Sequence, residues 1–222
     1  MPKDGGIGAS SKRREDVRFL TGRGKYTDDI NLANQTYAHF LRSEMAHGTI
    51  DSIDTSAAED MPGVVQIFTS KDFEGVGGVP CGWQVTDRFG NPMKEPKHPV
   101  LAEGKVRHVG DPIAVVVAET AEQARDAAEA IDVDITELPA VMDMKAAIAE
   151  GATKVHDDLD DNLCYDWGFV EEHREAVDAA FAEAAHVTTL ELTNNRLVAN
   201  PMEPRVAVGD FNPGTEDYTL YT

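Results

Sequence analysis

The chain has 222 residues, 41% hydrophobic and 27% charged, enough to bury a core and ordinary for a soluble globular protein. Asp and Glu number 40 against 20 Lys and Arg, a formal net charge of -20. Nucleic acid and anionic lipid repel such a chain, because their phosphates need cations to neutralise them. The acid is dispersed along the sequence, so it reads as solubility or adaptation to a salty host and not as an acidic tail.

Residues 1–13 are rich in Gly, Ser and Lys and read as a flexible lead-in with no apolar stretch of a secretory signal. "REDVRFLTGRGKYTDDI" follows, punctuated by Gly22 and Gly24, with Asp28 and Asp29 at a turn. "TYAHFLRS" and "TIDSID" predict two strands. A short helix then starts at Thr55 or Ser56, where a hydroxyl can cap the first turn, and Pro62-Gly63 ends it. The β-branched run "VVQIFTS" predicts a third strand.

Residues 74–99 are rich in Gly, Pro and polar groups and predict a long loop, of the kind that is usually functional or interface-forming. "KVRHVGDPIAVVVAET" predicts a turn feeding a strongly apolar strand. Thr120 is placed to cap the next helix, "AEQARDAAEAI", with Glu122 near the positive end of its dipole. "DVDIT" is the returning strand, closed by Leu138-Pro139. This order predicts an α/β or α+β domain ending near residue 143. A weakly structured bridge follows, then a helix in "EEHREAVDAAFAEAA" and strands in "HVTTLELTNN", "PRVAVGDF" and "DYTLYT". The chain stops inside the last strand, which leads to the expectation of a partial chain.

Motifs for the common chemistries are missing: no GxGxxG, no GxxxxGK[ST], no GxSxG and no HExxH. Cys81 and Cys164 lack metal or redox spacing, which points to buried or free thiols in a reducing compartment. The longest apolar run, "PIAVVVA", is too short to span a bilayer, and the cytoplasm is the expected location. His39 and His47 fit on one element, but without a Cys or carboxylate at ligand spacing they read as structural. His98, His108 and His156 stand isolated in the sequence. In "VGDP", Gly110, Asp111 and Pro112 are each explained by turn chemistry. Glu203 lies between Pro201 and Pro204 with Arg196 and Arg205 nearby, which reads as a buried ion pair or a cavity lining.

Taken in order, "REDVRFLTGRGKYTDDI", "AHFLRSEMAHGTIDSIDTSAAEDMPGVVQIFTSKD", "HPVLAEGKVRHVGDPIAVVVAET", "DAAEAIDVDITELPAV" and "NRLVANPMEPRVAV" resemble the start of the molybdenum-binding large subunit of the xanthine dehydrogenase, aldehyde oxidase and carbon monoxide dehydrogenase family. "YDW" at 165–167 and "NRLVANPMEPR" lean toward the carbon monoxide dehydrogenase-like branch. The resemblance implies an α+β fold: an α/β hammerhead domain over 14–143, a linker over 144–162, and the truncated start of a molybdopterin-binding domain over 163–222. It also implies molybdenum on molybdopterin in the complete subunit, the cytosine dinucleotide form being the expected one, with water as oxygen source. An iron–sulfur small subunit and an FAD-binding medium subunit are the implied partners and take the electrons; the remainder of the large subunit is the third.

No catalytic, cofactor-binding or metal-ligating residue of this chain is implied. The family's pterin-contacting Gln stretch, Gly-Gly-Phe-Gly loop, base-like Glu and active-site Cys all fall downstream, and neither Cys81 nor Cys164 matches that Cys. "SEMAHGTI" departs from the family's Pro-His-Ala-His-like run by carrying Glu44 and Met45, which alters a turn and not chemistry. The other reading of the residues is a stand-alone, non-catalytic scaffold or assembly protein.

Overall fold

The computed structural model describes residues 12–168, 173–195, 197–202 and 204–222. Its elements, in order, are α1 (Asp16–Leu20), a 3-10 turn (Thr27–Asp29), β1 (Tyr37–Arg42), β2 (Gly48–Asp54), α2 (Ser56–Glu59), β3 (Val64–Thr69), a 3-10 turn (Ser70–Phe73), β4 (Lys105–Val106), β5 (Pro112–Ala118), α3 (Ala121–Glu129), β6 (Asp132–Glu137), α4 (Met144–Ala147), α5 (Arg174–Glu183), β7 (Val208–Asn212) and β8 (Asp217–Tyr221). They fall into two compact units, Thr36–Leu190 and Met1–Gln35 with Glu191–Thr222.

The larger unit is built on two antiparallel three-stranded sheets, ordered β1-β5-β3 and β4-β2-β6. β5 is apolar along its length because it is central: β1 and β3 flank it and α3 packs against it. Ile113, Ala114, Val115, Val116 and Ala118 are all buried. α3 presents Ala124, Ala127 and Ala128, and these small side chains let the helix lie close over the sheet. They join Ala58, Ile67, Ala114, Val116 and Ile131 in one core. Ala102, Val106 and Ile113 form a second core, and the partly buried Ile53 and Val133 pack against both.

The caps divide between expectation and correction. Thr120 Oγ1 accepts from Gln123 N at 3.2 Å, as the sequence predicts. At α2, however, no threonine or serine hydroxyl caps the helix. Asp54 Oδ1 accepts from Ser56 N at 3.0 Å instead, and Thr55 Oγ1 is taken up by Glu59 Oε1. Hydrogen bonding from the Ser56 side chain first, and then from Ser56 N, holds the Asp54 carboxyl below the usual range.

The loop after β3 is irregular but internally bonded. Asp87 Oδ1 accepts from Phe89 N (2.9 Å) and Asn91 N (2.7 Å), and Asp87's carboxyl is lowered first by its bond from the Asn91 side chain. Glu95 accepts from Cys81 N and from the Gln84 side chain. The bridge beyond β6 also has structure of its own. Asp143 caps α4, and Asn162 ties Val155 N, Thr153 O and Ala147 O together, each at 2.9 Å. α5 carries no buried residue.

In the smaller unit, β7 and β8 pair as an antiparallel hairpin, with Phe211 and Tyr218 in contact at 4.7 Å. Phe19 stacks on Tyr26 at 5.6 Å. The predicted strand over 186–195 is not formed, and the strand expected from residue 204 begins only at Val208. The alternation in "HVTTLELTNN" has no partner strand among the described residues, and a strand without a ladder leaves its backbone bonds unmade. Most of the expected lead-in lies outside the described residues.

Candidate functional site

The residues singled out in the sequence separate into a corner, a polar cluster and scattered surface positions. The corner is "VGDP". Gly110 has φ +88, open to glycine and costly for other residues. Its N donates to Ser43 O (2.7 Å), Ser43 N donates to Asp111 O (2.9 Å), and Arg42 Nη1 donates to Gly110 O (2.9 Å). Asp111 is buried and accepts from Arg107 N at 2.9 Å. Gly110 and Asp111 are thus engaged in joining β1 to β5, and the Asp111 carboxylate also holds Arg107 N.

The cluster gathers around Arg107. His47 is 3% exposed and sits on the turn before β2, not on the same element as His39 of β1. Its Nδ1 lies 2.9 Å from Pro139 O, and a carbonyl only accepts, so Nδ1 carries the proton. Among the described residues, His47 Nε2 and Arg107 Nε are buried with no hydrogen-bonding partner. Lys105 Nζ donates to Asp157 at 2.9 Å, and that bond, with the charges of Lys105, Arg107 and His47 behind it, lowers the Asp157 carboxyl despite some desolvation. His156 is partly buried; burial first, and then the Arg107 charge, push it below its ordinary value, against Asp158 and Asp157.

His156 is therefore not isolated, as its sequence context implies. Chain folding brings together residues more than 100 positions apart, and no local pattern signals that. The arrangement can hold a carboxylate and does so with Asp157. His98 and His108 are exposed, as are the thiols of Cys81 and Cys164.

"PMEPR" meets the structure through Met202, Pro204 and Arg205, which line an open groove of about 550 Å³ with Tyr26, Thr27, Asp28 and Asp29, all within the smaller unit. Glu203 and Arg196 lie outside the described residues, so the expected ion pair does too. Among the described residues there is no cluster of three His, Cys, Asp or Glu able to hold a metal, and no helix long and apolar enough to cross a membrane.

These two sheets with a crossing helix, followed by an exposed helix and hairpin, define a class. Residues 21–139 match the model for the aldehyde oxidase and xanthine dehydrogenase a/b hammerhead domain, and residues 155–222 match the molybdopterin cofactor-binding domain. The nicotine 6-hydroxylase large subunit of Paenarthrobacter nicotinovorans is 37% identical over 95% of this chain and 25% of its own length. The carbon monoxide dehydrogenase large chain of Afipia carboxidovorans is 31% identical over 97% of this chain and 27% of its own. Quinoline 2-oxidoreductase from Pseudomonas putida 86 superposes with a TM-score of 0.78 at 34% identity, over 96% of this chain and 26% of that one. The chain belongs to the aldehyde oxidase and xanthine dehydrogenase family of molybdenum hydroxylase large subunits. It spans about a quarter of the length of these curated relatives.

Beyond α5 the segment matched to the molybdopterin domain offers few groups for the pyrophosphate of a pterin dinucleotide. A pyrophosphate needs a nest of free backbone N–H groups or several cations. Beyond α5 the sequence holds only Arg196 and Arg205 as cations, and the Gly214 N–H of the hairpin turn is taken by Asn212 Oδ1 at 2.9 Å.

Proposed function

We infer that this chain is the N-terminal portion of the large subunit of a molybdenum hydroxylase. In the complete subunit, molybdenum on molybdopterin, in its cytosine dinucleotide form, oxidises a small molecule of the carbon monoxide, aldehyde or N-heteroaromatic kind with water as oxygen source. Electrons pass to an iron–sulfur small subunit and an FAD-binding medium subunit in the cytoplasm. Within this chain, residues 14–143 are the hammerhead domain, 144–162 a linker and 163–222 the start of the molybdopterin-binding domain. The segment is scaffold: it supplies no catalytic, cofactor-binding or metal-ligating residue and is inactive alone.

The observation that carries this reading is the ordered pair of family matches, 21–139 and then 155–222, on a chain a quarter as long as its relatives. Exposure supports it as well. Leu192, Leu197, Val198 and Met202 are each more than three-quarters exposed, an apolar run that further chain would cover. The test is molybdenum analysis with pterin fluorescence on the chain alone and on the native complex isolated through it. Metal and pterin in the complex, with none on the isolated chain, is the expected result. A native complex without molybdenum would overturn the enzyme reading in favour of a non-catalytic scaffold.

A further inference from the structure

The start of the segment matched to the molybdopterin cofactor-binding domain is held by an ionic seam. On one side lie Arg88, Lys94 and Lys105; on the other lie Asp166, Asp161 and Asp157. Arg88 pairs with Asp166, Lys94 Nζ meets Asp161 Oδ1 at 2.6 Å, and Lys105 Nζ meets Asp157 Oδ2 at 2.7 Å. Two backbone bonds run along the same seam, Lys94 N to Cys164 O (2.9 Å) and Arg88 N to Asp166 O (3.0 Å).

Apolar burial contributes little there. No residue from 153 to 166 is among the buried hydrophobics, and Leu163 and Tyr165 are exposed. The segment is nevertheless stitched to itself, because Asn162 bonds Val155 N and Thr153 O, and one further Asn162 bond, to Ala147 O, ties it to the end of α4. A segment with internal bonds, an electrostatic seam and no share in the core has the makings of an independent opening unit.

We propose that residues 153–166 form a releasable strap, seated on β4 and the loop before it by three Asp-to-cation pairs, which detaches as a unit while both sheets stay folded. Ionic strength and acid then set how the chain leaves the hammerhead for the segment that follows. The inference rests on the seam alone and stands whether or not the enzyme reading does.

The acid arm has a definite sign. His156, facing Arg107, Lys105, Asp157 and Asp158, is lowered, so the released strap binds more protons, and seating weakens as pH falls below about 6.5. Asp157, facing Lys105, Arg107 and His47, and Asp161, facing Lys94 and Lys154, are lowered too. Their contribution is present above about pH 3.9 and is lost as pH falls through their lower seated values.

The experiment is hydrogen–deuterium exchange on the 222-residue chain at neutral pH, in about 0.1 M and about 1 M salt, where the screening length drops from about 10 Å to about 3 Å. The expected result is an exchange increase of about tenfold, equivalent to about 1.4 kcal/mol, at Arg88 and Lys94, whose amides bond across the seam, with β5 unchanged. Lys94→Asp should release the strap in low salt, and adding Asp161→Lys should restore it. Seam amides that ignore salt, or that exchange only together with β5, would overturn the proposal. A Lys94→Asp chain that loses β5 protection would overturn it as well, since the strap would then be integral to the fold.

Discussion

Two glycines show how one substitution draws on different physics. Gly110 has φ +88 and open space where a side chain would go, so only backbone conformation resists a Cβ. Gly110→Ala is expected to cost about 1–2 kcal/mol, and Gly110→Asn to recover part of that, because Asn tolerates the left-handed region. Gly48 is different: its φ is ordinary, but a Cβ would lie 2.5 Å from Ile135 Cγ2 and 3.1 Å from Thr136 O across the β2–β6 ladder. Gly48→Ala is expected to cost about 1–3 kcal/mol by overpacking, with no relief from Asn. Urea denaturation of the three variants checks both claims; an Asn variant as damaged as Ala at position 110 would contradict the backbone account.

At the scale of elements, the helix starts separate a cap in sequence from a cap in space. Thr120 and Thr55 each precede a short helix, yet only Thr120 Oγ1 receives a backbone N–H. Thr120→Ala should cost about 1 kcal/mol. Thr55→Ala should stay within about 0.5 kcal/mol, since its hydroxyl only meets the exposed Glu59. Equal losses in thermal denaturation would show that the α2 cap has been assigned to the wrong residue. Asp54 is the residue whose removal should fray α2, because its carboxylate holds the first-turn amide.

For the whole chain, the formal charge of -20 sets a background that the seam runs against. Self-repulsion among dispersed carboxylates opposes the folded state and is screened by salt. Added salt, up to about 1 M, is therefore expected to raise the global melting temperature while loosening the strap. Calorimetry alongside exchange at the seam amides separates the two responses. A melting temperature that falls with salt would mean that favourable ion pairs outweigh the net repulsion.

The sequence by itself determined most strands and helices of the larger unit, because each carries a local cause. β5 is continuously apolar since it is central, α3 has an alanine face and a threonine cap, and Gly110 and Pro112 mark the corner. It also determined the family, since the matching stretches are contiguous runs of chain. Tertiary structure alone decided that 186–195 makes no strand and that His47, Lys105, Arg107, His156 and Asp157 share one electrostatic neighbourhood. It alone decided the seam as well, whose pairs join residues 52 to 78 positions apart. Periodicity and caps act within one turn or one strand, whereas ion pairs and ladders depend on which segments folding brings face to face.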